Sequence, residues 1–340
     1  MDKKYNVAVA GATGMVGQKM IDVLFERQFP IKGLKLLASS RSAGKKIKAG
    51  PETYTVDKIS PQSFEGVDFV FFSAGGDISK EMAPEAAKRG AVVIDNSSAF
   101  RMAEGVPLVV PEVNPDAALQ HSGIIANPNC STIQMVVALK PLHEAAVLKR
   151  VVAATYQAVS GAGREAVEEL QEQCRAYLDG KPVKTGRIPH EGALRTYQLA
   201  FNLVPQLDVF VEDGYCKEEI KMIRETRKIM SLPELPVTAT TVRVPVVNGH
   251  SIALNLELEQ ALSAADAREL LSRSPGVTVA DNPGQLEYPT PLDADGRDDV
   301  FVGRIRPDFS VAHGLNLWVV SDNIRKGAAT NSIQIAELLI

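Results

Sequence analysis

The fold of this chain is decided near its start by Tyr5-Asn6-Val7-Ala8-Val9-Ala10-Gly11-Ala12-Thr13-Gly14-Met15-Val16-Gly17. The first six residues predict a buried strand, and the amphipathic stretch from Met20 to Phe25 predicts a helix after the glycines. Glycines between a strand and a helix let the backbone approach a pyrophosphate, whose charge the helix N-terminus stabilises. A tight structural turn would use the same residues, but the position between strand and helix favours a dinucleotide site.

The loop after the second predicted strand indicates which dinucleotide is bound. That strand is Leu34–Ala38, and in a domain of this kind its end lies beside the adenosine ribose. NAD-selective domains usually carry Asp or Glu there, whereas this chain has Ser39-Ser40-Arg41-Ser42. Because an arginine among hydroxyl groups suits a 2′-phosphate, the sequence favours NADP over NAD, with a solvated polar loop as the alternative.

Two further strand patterns extend the same sheet. Residues 67–72 and 91–95 have strand patterns and are separated by a helical stretch, residues 79–88. This alternation predicts an α/β fold with a Rossmann-type doubly wound parallel sheet. The loops after the two strands, residues 73–76 and 96–101, then lie at the carboxyl edge of the sheet, where ligands bind.

A cysteine stands where a later strand ends and a helix begins. Ile124-Ile125-Ala126 predicts the strand, and Asn127-Pro128-Asn129-Cys130-Ser131-Thr132 leads into an apolar helical run. The unpaired N–H groups of a first helical turn stabilise a thiolate, which makes the sulfur a nucleophile. A free cysteine is more often a buried packing residue, so the case for catalysis depends on the residues that accompany Cys130.

The two other cysteines have weaker claims to catalysis. Cys174 lies on the apolar face of a predicted helix, which makes it a packing residue. Cys216 begins another predicted helix, but Glu218 and Glu219 in its first turn would oppose a thiolate. Glu218 and Lys221 share a face of that helix, which suits an amino group and a phosphate of one ligand.

A hairpin is predicted in the second half of the chain, where strand patterns flank the Asn-Gly dipeptide 248–249. Asn-Gly is a strong hairpin-turn signal. With that turn, Arg243 and His250 would lie on one face of the hairpin. Pro245 weakens this prediction because proline inside a strand indicates an edge or a bulge.

Composition and charge exclude several classes of partner. The chain has 340 residues, of which 45% are hydrophobic and 23% charged, and its net charge of −4 argues against a nucleic-acid partner. Three cysteines without metal-ligand spacing predict no metal and indicate a reducing compartment. No run is long and apolar enough to predict a membrane span, and the start shows no apolar signal segment. We therefore expect a cytoplasmic protein whose partners are small molecules.

Five ordered motifs resemble those of the aspartate-β-semialdehyde dehydrogenase family, and the resemblance covers essentially the whole chain. The motifs are Gly11–Gly17, Asn127–Thr132, Glu218–Lys221, Val242–Pro245 and Gly249–Ser251. The resemblance implies NADPH-dependent reductive dephosphorylation of L-4-aspartyl phosphate to L-aspartate 4-semialdehyde, and the phosphate-dependent reverse reaction, in lysine, threonine and methionine biosynthesis. It also implies a thioester intermediate, which separates the loss of phosphate from the reduction.

The resemblance implies roles for three catalytic residues. Cys130 is similar to the family's nucleophile, and His250 is similar to the acid/base that serves the thiohemiacetal oxygen. Gln157, near the end of the strand pattern of residues 151–159, is similar to the residue that orients the acyl intermediate. From the residues alone, Gln157 could equally be a surface amide.

The resemblance also implies a substrate site. Arg243 is similar to the clamp on the substrate α-carboxylate, a bidentate task for a guanidinium, and Glu218 is similar to the partner of the α-ammonium. Arg101, Lys221 and Asn129 resemble the site of the phosphate that leaves or, in the reverse direction, attacks.

The expected cofactor is NADP. The residues expected to contact it are Gly11, Thr13, Gly14, Met15, Val16, Gly17, Ser39, Ser40, Arg41, Ser42, Ser73, Gly75, Ser160, Gly161 and Asn323. The implied domains are residues 1–127 for NADP binding, to which the helix 326–340 returns, and residues 128–325, an α+β domain for catalysis and dimerisation. Family members form homodimers through the second domain, often paired into tetramers.

Two alternatives stay open at this point. The N-acetyl-γ-glutamyl-phosphate reductase family shares the cofactor domain and the thiol, but its substrate has no free α-ammonium, which would leave Glu218 without a role. A non-catalytic NADP-binding sensor would keep the glycine turn and use Cys130 for packing. The presence of Cys130, Arg243 and His250 together favours an enzyme.

Overall fold

The computed structural model describes residues 3–340, which form two compact units. The first unit contains the residues up to Asn129 together with Gly327–Ile340. The second unit contains Cys130–Lys326. The chain therefore leaves the first unit immediately before Cys130 and re-enters it near its C-terminal end.

The described residues form thirteen strands and eight α-helices. The strands are β1 (Tyr5–Ala10), β2 (Ile31–Ala38), β3 (Lys46–Ala49), β4 (Glu52–Lys58), β5 (Phe69–Phe72), β6 (Val92–Asp95), β7 (Ile124–Ala126), β8 (Leu148–Gln157), β9 (Val237–Arg243), β10 (His250–Leu258), β11 (Val277–Val279), β12 (Val300–Asp308) and β13 (Gly314–Ser321). The α-helices are α1 (Met15–Glu26), α2 (Gly76–Lys88), α3 (Cys130–Ala146), α4 (Arg164–Leu178), α5 (Lys217–Ile229), α6 (Ala264–Ser272), α7 (Pro291–Ala294) and α8 (Thr330–Glu337). A π-helical turn, Arg325–Ala329, precedes α8.

The first unit contains the predicted Rossmann-type sheet, and this prediction is confirmed. Its strand order is β3-β4-β2-β1-β5-β6-β7, in which β1 pairs in parallel with both β2 and β5. The strand at the edge, β3, is antiparallel to β4. The strand order reverses at β1, so the switch point lies between β1 and β5, and ligands of such sheets bind there, outside the carboxyl ends of the strands.

Both faces of this sheet are buried, which explains the continuous apolar run in β1. Val7 and Val9 pack into the core that includes α1 and Ile333 of α8. Ala8 and Ala10 face the opposite core, which includes α2 residues such as Ala83. A strand that is covered on both sides loses the apolar-polar alternation of a surface strand.

The second unit has a mixed sheet with helices on one face, which is the predicted α+β arrangement. Its strand order is β11-β12-β13-β10-β8-β9. Helix α3 packs against β8, β10 and β13, α5 packs against β9, and α6 packs against β12. The opposite face is partly exposed and carries Tyr156 and Trp318, whose ring centroids are 5.5 Å apart.

The predicted hairpin at Asn248-Gly249 is wrong. β9 pairs in parallel with β8, and β10 pairs antiparallel with β8, so β8 lies between the two strands that the hairpin would have joined. Residues 244–247 instead cross the end of β8, where Val159 N donates to Val246 O at 2.8 Å. The physical reason is Pro245, which has no N–H to continue a ladder and leaves the chain free to turn away.

Candidate active site

Three predicted site residues lie in one row at an end of the second sheet. Gln157 ends β8, Arg243 ends β9 and His250 begins β10. Gln157 pairs directly with Arg243, and the pairing of Ser251 with Tyr156 sets His250 opposite Gln157 on its other side. Residues opposite one another in neighbouring strands project to the same face, so the three side chains project together on the buried face of the sheet.

Cys130 begins α3 after the end of β7, which confirms that the thiol stands at a helix start. Its side chain is partly exposed, whereas Cys216 is buried. Burial lowers the pKa of the Arg243 guanidinium, while the nearby Glu218 carboxylate and Cys130 thiol act in the opposite direction. Cys130, Arg243 and Glu218 therefore belong to one electrostatic cluster in the second unit.

His250 is held as a neutral imidazole with a defined tautomer. Ala158 N–H donates to His250 Nδ1 at 3.1 Å, so the ring proton lies on Nε2. His250 Nε2 is buried and has no hydrogen-bond partner among residues 3–340. Burial is the main reason that the pKa of His250 falls to about 3, and the Arg243 charge lowers it further. The ring therefore offers an N–H donor across the physiological pH range.

Acidification is expected to destabilise the protein through His250. Below pH 6.5 this residue takes up a proton in the unfolded chain, but in the folded chain it does so only near pH 3. The free energy of unfolding contributed by His250 is therefore present above pH 6.5 and falls, by a few kcal/mol in all, as the pH drops towards 3. Between pH 8 and pH 5, the free energy of unfolding measured with urea should fall less for His250→Asn than for the wild type. Equal falls for the two proteins would contradict this role of His250.

Arg243 is held by Ala158, just after β8, and Glu218 is bonded to Gln157, the last residue of that strand. Arg243 Nη1 donates to the Ala158 backbone oxygen at 2.6 Å, and Arg243 Nε is buried without a hydrogen-bond partner among the described residues. Glu218 Oε1 accepts from Gln157 Nε2 at 3.3 Å, and Lys221 Nζ donates to Glu218 Oε2 at 3.2 Å. The structure thus places an arginine and a carboxylate close enough to act on the imidazole, and an amide and a lysine are bonded to that carboxylate.

Gly161 borders the space in front of these groups. It lies in the short turn Val159–Ala162, and a Cβ on it would be 3.2 Å from Arg243 Nη1 and 3.3 Å from His250 Nε2. Both neighbours are anchored by Ala158, so neither can move away cheaply. The backbone of Gly161 does not need a positive φ, so the absence of a side chain there keeps space open beside the two polar groups.

Gly161→Ala is expected to lower kcat/KM by about tenfold or more without unfolding the protein, because small displacements of reacting groups are costly. Steady-state kinetics and thermal unfolding would measure the two effects. Gly284→Ala is the matched control, since Gly284 lies in another short turn, has no positive φ and has its nearest atom 3.6 Å away. Equal kinetics for the two variants would contradict the interpretation of Gly161.

Ser160 and Asn323 form a buried link beside the row of site residues. Asn323 Nδ2 donates to Ser160 Oγ at 2.9 Å, and Asn323 Oδ1 accepts from Gly249 N at 2.9 Å. Ser160 Oγ donates to Asn248 Oδ1 at 3.0 Å. The structure therefore brings these two expected cofactor residues together and uses both to hold the segment before His250.

The two other thiols, Cys216 and Cys174, make contacts that belong to the packing of the fold. Cys216 is the N-cap of α5, where its N–H donates to Glu219 Oε2 at 2.8 Å and its Sγ lies 3.2 Å from Thr241 Oγ1. Glu219 Oε1 also accepts from Thr241 N at 2.9 Å. Glu219 therefore caps the helix and anchors β9, whereas Glu218 faces the site. Cys174 packs against an apolar cluster on α4, as predicted.

In the first unit, the glycine turn meets the loop after β5. Gly11 has φ +86°, and a Cβ on it would collide with the Ser73 backbone oxygen. A Cβ on Gly17 would collide with Gly11 O, so α1 lies directly against the turn. Gly14 is the N-cap of α1 and contributes no side-chain cap, and Met15 begins the helix. The next helix, α2, follows Gly75, which has φ +88°.

The loop after β2 lies beside the same turn. Thr13 Oγ1 is 3.4 Å from Ser42 Oγ, which brings the glycine turn and the serine-rich loop together. Ser39, Ser40 and Arg41 are exposed. The first unit therefore presents backbone N–H groups, hydroxyl groups and an arginine at the carboxyl ends of β1 and β2.

Arg101 and Asn129 belong to the first unit and are both buried. Arg101 Nε donates to Asn127 O at 3.0 Å, and Arg101 Nη2 donates to Asn96 O at 2.8 Å. Arg101 thus ties together the loops after β6 and β7, and part of its guanidinium is already engaged by the fold.

Two parts of the site were not predicted from the sequence. The backbone of Ala158 holds both His250 and Arg243, and a backbone contact leaves no signal in residue type. Gln134 Nε2 donates to the backbone oxygen of His250 at 3.2 Å. The sequence did contain a signal for Gln134, since it shows an amide inside an apolar run, four residues after Cys130.

Two features are absent from residues 3–340. No group of three or more His, Cys, Asp or Glu side chains is arranged to hold a metal ion. Among the same residues, no helix combines the length and the apolar character needed to cross a membrane.

Family models match most of the chain. The model described as semialdehyde dehydrogenase, NAD binding domain, matches residues 6–121. The model described as semialdehyde dehydrogenase, dimerisation domain, matches residues 139–326.

Known proteins and solved structures are similar to the chain over nearly its full length. An aspartate-semialdehyde dehydrogenase of Aquifex aeolicus is 56% identical, with 99% of this chain and 98% of the relative covered. One of Bacillus subtilis is 54% identical, with coverage of 100% and 98%. The crystal structure of aspartate semialdehyde dehydrogenase II from Vibrio cholerae matches with a TM-score of 0.94 at 47% identity, covering 99% and 98%. A Candida albicans structure with NADP matches with a TM-score of 0.75 at 28% identity, covering 99% and 98%.

Proposed function

The chain belongs to the aspartate-semialdehyde dehydrogenase family, and from that premise we propose that it reduces L-4-aspartyl phosphate to L-aspartate 4-semialdehyde with NADPH. In the reverse direction it oxidises the semialdehyde in the presence of inorganic phosphate. The observation that carries the proposal is the row of Arg243, Gln157 and His250, with Cys130 close enough to act on the Arg243 charge. The reaction belongs to the biosynthesis of lysine, threonine and methionine.

In the first step, the Cys130 thiolate attacks the acyl carbon of aspartyl phosphate. The bond from that carbon to the bridging oxygen breaks, and phosphate leaves with the electron pair, so a thioester remains on the sulfur. The start of α3 favours the thiolate that this step needs. Gln157, which is buried and bonded to Glu218, orients the acyl group.

In the second step, His250 first donates a proton to the oxygen of the carbon bound to sulfur and later removes it. The reduced nicotinamide, when bound, supplies the hydride that this carbon receives. His250 donates its Nε2 proton to the oxygen as negative charge develops there, which gives a neutral thiohemiacetal. His250 then takes the hydroxyl proton back while the carbon–sulfur bond breaks, and the aldehyde and the Cys130 thiolate are released.

The charged groups around the row fit an amino acid substrate. Arg243 keeps donors beyond the one given to Ala158, and a guanidinium suits the planar α-carboxylate. Glu218 is buried beside Arg243 and provides the negative charge for the α-ammonium. Lys221, which is bonded to Glu218 in the same unit, supplies a positive charge for the phosphate.

The first unit fits a nicotinamide dinucleotide, and we assign it NADP. The turn at Gly11 has no room for a side chain, as expected where a backbone approaches a pyrophosphate. Gly14, Val16 and Gly17 belong to this turn and the start of α1. Ser42 lies beside Thr13, and no acidic residue occupies positions 39–42, which suits a 2′-phosphate and not a free ribose hydroxyl pair.

Arg41→Ala is expected to raise the KM for NADP by about tenfold or more and to leave the KM for NAD nearly unchanged, because the arginine contacts the 2′-phosphate alone. Arg89→Ala is a control on an arginine that is bonded to Glu85 on α2. A similar rise in the KM for NADP and the KM for NAD would show that Arg41 does not bind the 2′-phosphate.

We also propose that two chains associate through the second unit. A sheet face that carries Tyr156, Trp318 and Val242 is partly exposed in the single chain, although the opposite face is covered by helices. Such a face is typical of a surface that another subunit covers. The family model for this unit is described as a dimerisation domain. Pairs of such dimers would form a tetramer.

The substrate assignment is tested by the reverse reaction. Purified enzyme with NADP and phosphate should oxidise L-aspartate 4-semialdehyde and leave N-acetyl-L-glutamate 5-semialdehyde unchanged, because the acetylated compound has no ammonium for Glu218. Use of the acetylated compound alone would support the rival reductase family instead. NADP binding without turnover of either aldehyde would support a sensor.

A further inference from the structure

The first turns of α3 contain a polar side chain to which the proposed mechanism gives no role. Gln134 is fully buried and lies four residues after Cys130, so the two side chains share a face of the helix. Gln134 Nε2 donates to the backbone oxygen of His250 at 3.2 Å. One side chain therefore connects the helix of the proposed nucleophile to the residue that is the proposed acid/base.

Packing and stability do not account for an amide at this position. Gln134 Oε1 is buried and accepts no hydrogen bond from residues 3–340. A buried acceptor without a donor costs free energy that an apolar side chain of the same length would not cost. The adjacent residues Ile133, Met135 and Val136 are buried and apolar, so the surroundings are suited to an apolar residue.

The other contacts of His250 come from different elements. Ala158 N–H, just after β8, donates to His250 Nδ1 at 3.1 Å. Asn323, after β13, accepts from Gly249 N at 2.9 Å. These two contacts fix the ring and the start of β10 within the sheet. The contact from Gln134 fixes the same residue against α3.

We propose that Gln134 is a positioning residue, which holds the Cys130 thiol at its working distance from the His250 imidazole. This inference rests on the proposed function, in which both groups act on one carbon and its oxygen. Without the Gln134 contact, α3 and β10 are free to shift by a fraction of an ångström, and such shifts slow proton transfer. Substrate binding by Arg243 and Glu218 does not pass through Gln134, so it is preserved.

The test is Gln134→Met, which keeps the length of the side chain and removes the amide. We expect kcat to fall by about tenfold to a hundredfold, with the KM for the semialdehyde within about twofold of the wild type. The thermal midpoint should change little, because the substitution removes one unsatisfied acceptor, Gln134 Oε1, but also removes the donor to the His250 backbone oxygen. The rate of Cys130 alkylation by iodoacetamide should also stay the same, since the helix start is intact.

Thr226→Val is the matched control. Thr226 Oγ1 is also buried without a hydrogen-bond partner among the described residues, but Thr226 lies on α5 and not on the helix of Cys130. Removal of the Thr226 hydroxyl should therefore leave kcat unchanged. An unchanged kcat in Gln134→Met, or a fall in kcat together with a lower thermal midpoint and slower alkylation, would overturn the positioning role. Absence of phosphate-dependent oxidation in the wild type would instead reject the proposed function, and this inference with it.

Discussion

Cys130→Ser is expected to lower turnover by about 10⁴-fold or more and to leave NADP binding intact. Serine keeps the size and position of the side chain, but its hydroxyl does not ionise at a helix start as a thiol does. Most of the residues expected to contact the cofactor belong to the first unit, whereas Cys130 begins the second, so the dinucleotide should bind with an affinity within about twofold of the wild type.

The measurement combines steady-state turnover of L-aspartate 4-semialdehyde with a fluorescence titration of NADPH. Cys174→Ser is the matched control, because Cys174 is a partly buried thiol that packs on α4, and it should keep nearly full activity. Substantial turnover in Cys130→Ser would exclude a thioester. Loss of NADPH binding together with activity would point to misfolding and not to a missing nucleophile.

Arg243→Lys is expected to lower kcat/KM for the semialdehyde by about 10²-fold to 10³-fold, chiefly through KM. A lysine supplies one point charge, whereas the guanidinium donates to the Ala158 oxygen and has further donors for a carboxylate. The substitution also removes the planar group that lies beside Gly161 and His250. NADPH binding should not change, since Arg243 is not among the residues expected to contact the cofactor.

Arg150→Lys is the control for this substitution, because Arg150 is exposed on the neighbouring strand β8. Substrate saturation curves for the two variants would separate an effect on the site from a general effect of the change. A fall in kcat with an unchanged KM would contradict the role of Arg243 in substrate binding.

Local patterns were sufficient to predict much of this fold. The glycine turn at 11–17 and the thiol at 130 could be recognised because strand, turn and helix follow one another within a few residues. The order of the second sheet could not be recognised in this way. β8 lies between β9 and β10, and this arrangement depends on pairings across long stretches of chain.

The site likewise combines features that local patterns predict with features that depend on pairing between distant strands. Arg243 and His250 were expected to be neighbours through a hairpin, and they are brought together instead by their shared neighbour Gln157 on β8. Their anchoring by the Ala158 backbone follows from the crossing of residues 244–247 over the strand end, which residue types do not encode. Sequence indicated which groups act, and the sheet order explains how they are held.

The most direct measurement is mass spectrometry of the enzyme after mixing with L-4-aspartyl phosphate in the absence of NADPH, followed by an acid quench and peptide mapping. We expect one aspartyl group on the peptide that contains Cys130, and its loss when NADPH is added before the quench. An unmodified Cys130 under conditions in which the enzyme turns over, or an acyl group on another residue, would contradict the thioester mechanism.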